Sequence, residues 1–333
     1  MIRIAVDAMG GDNAPQAIVE GVIQAAKLKN DMEIFLVGDQ SRINVSDLPQ
    51  NVTIINATEV IENQEKPLMA LRRKKDSSLV RALELLREQQ VAAVVSAGNT
   101  GALMAGASLI AGRIPGVTKP ALAPILPTLD GRGVVALDIG AAMDPKPENL
   151  LQFAQMGSLY ASVLFGIDRP RVGLLNIGVE AEKGNELVKE THALLTKAQD
   201  LNFVGNVEAR DVMKGLCEVL VCDGFTGNVL LKAMEGTAQA VFSGIKEAVM
   251  AGGVKAKVGA LLMKPALKSF KARMDYSEHG GAPLLGLKGI CIKCHGSANA
   301  VTVKNTIIKQ AYGLAASNVL EKITNLTGGK DNE

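Results

Sequence analysis

The stretch Cys222-Asp-Gly-Phe-Thr-Gly-Asn-Val-Leu-Leu-Lys232 collects the residue types that hold an anion. Glu218-Val-Leu-Val-Cys222 before it is a short apolar, β-branched run and reads as a buried strand. Thr226 to Met250 after it has helical periodicity. A Gly-rich turn from strand to helix aims backbone N–H groups at whatever docks there, and the helix dipole favours negative charge. Thr226 and Gly227 lie in that turn, and Asn228 adds a neutral side-chain donor. Such a turn can hold a phosphate, or an oxygen on which negative charge develops. The alternative for Asn228 is a helix cap with no ligand.

The pattern has companions. Asp7-Ala-Met-Gly-Gly-Asp-Asn13 follows a first strand and offers Gly10, Gly11 and Asn13. Ser96-Ala-Gly-Asn-Thr-Gly101 follows another and offers Asn99, Thr100 and Gly101, which either bind an anion or cap a helix. Asn176 to Asn185 is a third such turn, and His295 precedes Gly296 and Ser297 at a further one. Asp7, Asp12 and Asp223 would repel phosphate unless they orient other groups or hold a metal. No turn spells a P-loop or G-x-G-x-x-G, which counts against a nucleotide or dinucleotide. Cys291-Ile-Lys-Cys294-His295 matches the haem attachment pattern, but the segment alternates like a strand and the match reads as coincidence. With three histidines and no second C-x-x-C, no metal is expected.

These turns need a frame. Strands are expected at Ile2-Arg-Ile-Ala-Val6, Glu33–Val37, Val52–Ile55, Val91–Val95, Gly133–Leu137, Arg171–Leu175, Leu201–Val204 and before Cys222. Helices are expected from Pro15 to about Lys29, Pro67 to Lys75, after Asp76-Ser77, from Pro147 to Phe165, to about Gln199, and from 298 to 326. The alternation implies an α/β fold of three α/β/α layers around an open, mostly parallel sheet. Such sheets bind ligands at the carboxyl ends of their strands, where the polar turns cluster.

The chain of 333 residues is 47% hydrophobic and 21% charged, enough to bury a full core as one domain over 1–333. Aromatics are 3% and Trp is absent, so stacking platforms for nucleic acid are scarce. Arg3, Asp7 and Asp12 interrupt the first apolar run, and no run is long enough to span a bilayer. A cytoplasmic protein is expected.

Val254 to Met274 carries Lys255, Lys257, Lys264, Lys268, Lys271 and Arg273 and no acidic residue. Pro265 is expected to divide it into two short helices, giving a basic amphipathic hairpin over 252–275. Val254, Val258, Leu261 and Leu262 share one face of the first, and Leu267, Phe270 and Met274 one face of the second. Such faces suit an anionic membrane or an acidic protein, or pack as core with a solvated basic rim.

Taken together, Asp7–Pro15, Ser96–Met104, Arg171–Gly178, Lys183–Leu187, Gly205–Glu208, Cys222–Asn228 and Tyr276–Leu287 resemble the bacterial acyl-ACP:phosphate acyltransferase family, PlsX, in the same order and nearly end to end. The resemblance implies transfer of a fatty acyl group from acyl carrier protein to inorganic phosphate in phospholipid synthesis. It also implies a phosphotransacetylase-like or isopropylmalate-dehydrogenase-like fold, a homodimer and peripheral membrane association. Ala142 stands where that family usually has asparagine, and Cys294 where it has Ser or Ala before His-Gly-Ser.

Phosphate is already an anionic nucleophile and a thioester is activated, so neither a triad nor an acyl-enzyme nor a cofactor is required. Lys183, at a helix start, is expected to bind phosphate or neutralise developing charge; its alternative is a solvated surface lysine. Asn228 is expected to serve the oxyanion or phosphate. His295 either orients substrate, protonates the leaving thiol, or is structural.

Overall fold

The computed structural model describes every residue except 44, 46, 275–278 and 329–333. Among the described residues, twelve strands form two sheets. The strands are β1 (Ile2–Asp7), β2 (Met32–Gly38), β3 (Val52–Asn56), β4 (Ala93–Ser96), β5 (Ala121–Leu122), β6 (Ile125–Leu126), β7 (Val134–Leu137), β8 (Arg171–Asn176), β9 (Asn202–Glu208), β10 (Val219–Val221), β11 (Ala282–Leu285) and β12 (Ile290–Lys293). The helices are α1 (Gln16–Ala26), α2 (Pro67–Arg73), α3 (Ser78–Arg87), α4 (Thr100–Gly106), α5 (Pro147–Phe165), α6 (Glu186–Lys197), α7 (Gly224–Ala251), α8 (Gly253–Met274), α9 (Ala300–Asn305), α10 (Gly313–Ala315) and α11 (Val319–Gly328).

The first sheet runs β3-β2-β1-β4-β12-β11-β5 and the second β6-β7-β10-β8-β9. Pairing is parallel from β3 to β12 and from β7 to β9, while β11 and β6 run antiparallel to their neighbours. The expected mostly parallel α/β architecture is therefore present, divided into two sheets. The division rests on the segment 121–126, whose two-residue strands close the edge of one sheet and open the edge of the other. Two buried clusters each draw residues from both sheets. Strands buried on both faces, such as Ile4-Ala-Val6 and Val134–Leu137, carry no polar side chain to expose.

Three expectations are corrected. The closing helix over 298–326 is interrupted at 316–318, where Ser317 Oγ bonds the Leu314 carbonyl and receives the Val319 N–H, so a side chain competes with the helical ladder. The returning loop from Tyr276 to Lys288 contains β11; its residues 276–278 lie outside the described residues. The hairpin is also different. Pro265 lies inside a continuous α8, and the turn falls at Gly252-Gly253 between α7 and α8, with Gly253 at φ +69°. Proline deletes the bond to the carbonyl four residues back and crowds that carbonyl. That carbonyl belongs to Leu261, whose residue is 68% exposed, so water can replace the lost donor.

The two arms touch through Phe242 and Phe270, with ring centroids 6.2 Å apart. Val254, Val258, Leu261 and Leu262 are all more than half exposed. Among the described residues, no helix is long and apolar enough to cross a membrane.

Candidate active site

At the carboxyl edge of the first sheet, buried Asp7 organises the turns. Its Oδ2 accepts from Ser96 Oγ at 2.7 Å and its Oδ1 from the Met9 N–H at 3.1 Å. Ser96 Oγ in turn accepts the Gly98 N–H at 3.1 Å. The carboxylate thus orients backbone rather than meeting an incoming anion. Gly10 is where the two turns meet: a Cβ there would lie 2.6 Å from Asp7 Oδ2 and from the Gly98 nitrogen. Asn13 Nδ2 donates to the Ser297 and Ala298 carbonyls, both at 3.2 Å, which ties the β1 turn to the turn after β12. The Gly10 and Gly11 N–H groups and the Thr100 hydroxyl have no partner among the described residues.

For Asn99 the sequence leaves an anion contact and a helix cap open, and the structure shows the cap, with the whole amide in use. Its Oδ1 caps α4 on the Ala102 N–H at 2.9 Å, and its Nδ2 donates to the carbonyls of Glu62, Asn63 and Glu65 at 3.1–3.2 Å. It holds the 62–65 loop against the β4 turn. Gly101 lets Pro67 pack there, 2.6 Å from where a Cβ would stand.

At the second sheet's edge, the turns after β7, β10 and β8 are neighbours because those strands are neighbours. Asp138 is fully buried and accepts N–H bonds from Leu122 (2.8 Å), Ala141 (3.1 Å) and Ala142 (2.5 Å). Burial pushes its carboxyl above the usual range, opposed by those bonds. Ala142 is buried and its backbone does the bracing, its carbonyl accepting the Gly224 N–H at 2.9 Å. The N-cap of α7 is Asp223, whose Oδ1 accepts the Thr226 N–H at 2.9 Å. The Gly227 N–H goes to the Asp223 carbonyl. The backbone donors of Thr226 and Gly227, expected to serve an anion, are therefore engaged. Asn228 is not the cap; it is half-buried, with no side-chain hydrogen bond among the described residues.

Lys183 is exposed and makes no ion pair among the described residues. Its carbonyl accepts from Asn176 Nδ2 at 3.1 Å, and Gly184 turns at φ +91° into the α6 cap, Asn185. Asn206 Nδ2 braces the same loop through the Glu180 carbonyl at 2.8 Å, leaving its buried Oδ1 without a partner among the described residues.

The two edges are linked electrostatically along α7. Asn228, Lys232 and Glu235 fall on one stripe of the helix at spacings of four and three. Lys232 Nζ pairs with Glu235 Oε2 at 2.8 Å, and the buried Glu235 Oε1 has no partner among the described residues. His295, on the first sheet's edge, feels the charges of both: burial chiefly lowers its pKa, Glu235 raises it and Lys232 lowers it. The Ser297 N–H donates to Nδ1 at 3.2 Å, and Ser297 Oγ lies 2.8 Å from it. A ring that accepts at Nδ1 and is neutral at pH 7 carries its proton on Nε2. Burial thus disfavours the imidazolium form of His295. Lys232 and Glu235 were not singled out from sequence; the helical stripe with Asn228 is the signal that could have found them.

Lys293 was missed as well. Its Nζ donates to the carbonyls of Ala97 (3.1 Å) and Cys294 (2.6 Å), joining the β4 and β12 turns. Burial of the ammonium lowers its pKa to about 8, against which Asp7 and Asp12 act. A lysine closing an otherwise apolar strand at a carboxyl edge was the legible hint. Because the folded pKa lies below the ordinary 10.5, the unfolded chain holds more protons between the two values. Stability contributed by Lys293 therefore rises from about pH 8 to 10.5, and the burial penalty is fully present below pH 8. In thermal unfolding at pH 7 to 10, wild type should gain on Lys293→Met as pH climbs. A pH-independent offset between the two would refute this.

The cysteines lie apart from this chemistry. Cys291 and Cys294 point into different buried clusters, so strand geometry separates the haem-like pair. Burial pushes the Cys217 and Cys291 thiols up to about 12, which leaves them protonated and unreactive at neutral pH.

Residues 2–322 match a family described as fatty acid synthesis protein. A phosphate acyltransferase of Brevibacillus brevis is 54% identical over 310 residues, 92% of each chain. One of Bacillus pumilus is 52% identical over 319 residues, 96% of this chain and 95% of that one. Among solved structures, a phosphotransacetylase of Streptococcus pyogenes superposes with a TM-score of 0.59 at 15% identity, covering 94% of each chain. A branched-chain phosphotransacylase of Enterococcus faecalis gives 0.57 at 13% identity, covering 94% of this chain and 100% of that one. At such identities the structural likeness is one of fold.

Proposed function

The chain belongs to the fatty acid synthesis protein family and is a phosphate acyltransferase, and on that premise we propose how its site works and on what. The donor is a long-chain fatty acyl thioester of acyl carrier protein, the acceptor is inorganic phosphate, and the acyl phosphate formed feeds phosphatidic acid synthesis. A phosphate oxygen bonds to the carbonyl carbon, the C–S bond breaks, and the proton on phosphate ends on the leaving sulfur. That balance calls for no cofactor.

The observation that carries the reading is the α7 stripe of Asn228, Lys232 and Glu235, whose charges reach His295. Lys183 and Lys232 supply positive charge where a dianion must approach. Asn228 offers amide N–H to the carbonyl oxygen as it becomes an oxyanion. His295, within reach of the charges of Lys232 and Glu235, orients the donor or phosphate. The unpartnered N–H groups of Gly10 and Gly11, with the Thr100 hydroxyl, hold substrate from the facing edge.

The test incubates pure protein with palmitoyl acyl carrier protein and phosphate and traps acyl phosphate with hydroxylamine, with palmitoyl-CoA and acetyl-CoA alongside. Phosphate-dependent hydroxamate from the carrier-bound donor is expected. Product from acetyl-CoA alone would overturn the donor assignment in favour of a phosphotransacetylase.

The α7–α8 hairpin supports peripheral attachment to the inner face of an anionic membrane, next to the acyltransferase that consumes the product. Exposed Val254, Val258, Leu261 and Leu262 stand among lysines, as an interfacial helix requires. A homodimer would cover Val241 and Ile245, which are 53% and 42% exposed on the other arm. The double substitution Val258→Glu, Leu261→Glu should abolish flotation with anionic vesicles and leave turnover in solution unchanged. Flotation equal to wild type would end the membrane assignment.

A further inference from the structure

We propose that α2 and the loop before it form the docking surface for the acyl carrier protein; this rests on the donor named above. The run Lys66–Lys75 faces two ways. Lys74 turns inward, its Nζ held at 2.6 Å by both the Val60 carbonyl and Glu65. Lys66, Arg72, Arg73 and Lys75 stay exposed, and none makes an ion pair among the described residues. Leu68 and Met69 are 53% and 45% exposed on the same helix. Spacing of four places Leu68 beside Arg72 and Met69 beside Arg73, while Ala70 and Leu71 are buried beneath. The result is a cationic face with an apolar centre, the complement of an acidic protein surface.

Its position selects the partner. The Asn99 amide pins residues 62–65 to the β4 turn, Pro67 packs on Gly101, and Asn63 Nδ2 reaches Asp12 Oδ1 at 3.4 Å. A protein seated on α2 therefore stands at the rim formed by the β1 and β4 turns. An acidic carrier with its acyl group on a flexible arm needs that placement: the body docks at the rim and the arm enters the site. A lipid surface has no such need, and two exposed apolar side chains on a seven-residue helix give it little to grip.

The experiment compares the full-length wild type with Arg72→Glu, Arg73→Glu, Lys75→Glu at the end of α2 and just after it, and with Lys257→Glu, Lys264→Glu, Lys268→Glu on α8. Fluorescence anisotropy reads the Kd for palmitoyl acyl carrier protein, and hydroxamate trapping reads turnover. The α2 variant should bind about tenfold or more weakly, with turnover at saturating donor kept within about twofold, because rim charges govern encounter rather than chemistry. Wild-type affinity should fall with salt and that of the variant much less. The milder Arg72→Ala, Arg73→Ala should show the same trend, which guards against a misfolded triple variant. Unchanged affinity in the α2 variants overturns the proposal, as does loss confined to the α8 variant or loss of vesicle binding in its place. A wild type that neither binds nor turns over the carrier-bound donor, while using a CoA thioester, removes the donor assignment itself, which is a separate failure.

Discussion

Asn228→Ala should lower turnover about a hundredfold, roughly 3 kcal/mol of transition-state stabilisation, while leaving the unfolding midpoint where it is. Removal of a helix cap typically costs about 1 kcal/mol of stability and touches no chemistry. The structure gives the cap to Asp223, whose carboxylate takes the Thr226 N–H. Asn228 is half-buried one turn further on, with no side-chain hydrogen bond among the described residues to lose. Its amide is thus committed to nothing in the fold. The Lys183→Ala variant should behave alike, since that exposed side chain makes no ion pair among the described residues. Steady-state kinetics with thermal unfolding on the same samples decide the matter. Wild-type turnover in folded Asn228→Ala would remove the residue from the mechanism.

Gly227→Ala should be the most damaging substitution to the fold. Its Cβ would lie 2.0 Å from the Asp138 carbonyl oxygen, 2.8 Å from Cys222 Sγ and 3.1 Å from the Asp138 carbonyl carbon. Two of those atoms are backbone, on a residue fully buried and fixed by N–H bonds, and cannot step aside. Overpacking against movable side chains costs about 1–3 kcal/mol, so at least about 3 kcal/mol is expected here. Gly236, in the same helix with open space around it, is the control. Its replacement by alanine should stabilise the helix by about 0.5–1 kcal/mol. Denaturant midpoints of both variants test the pair, and a Gly227→Ala protein as stable as wild type would contradict this packing.

The sequence made some levels of this structure plain and hid others. Elements whose burial is a matter of local periodicity were readable: α5 begins at Pro147 and ends at Phe165 as the pattern requires, and β1, β4 and β8 end where polar turns begin. The two-sheet division was not readable, because β5 and β6 have two residues each and exist only through pairing with distant strands. Pro265 misled, since a rule about lost helical bonds does not weigh how cheaply water replaces one at an exposed site. Within the site, residue types were legible but their allegiances were not. Asn99 and Asn228 look alike in sequence, yet one is saturated by the 62–65 loop and the other is uncommitted. The Ser96–Asp7 bond, spanning 89 positions, and the two carbonyls around Lys293 arise only when strands come together.

One helix carries both Asn228 of the candidate site and an arm of the hairpin. At 28 residues, α7 is about 42 Å long, and its buried glycines, Gly224 and Gly227, lie in its first turn. They act as a pivot with no clearance. A tilt of about 5° about that point would carry the far end through about 4 Å at this length. Asn228, one residue from the pivot, would scarcely move. The arrangement is a lever held at its short end. The distal arm can follow an undulating surface, or yield when struck, without passing that travel on to the reacting groups.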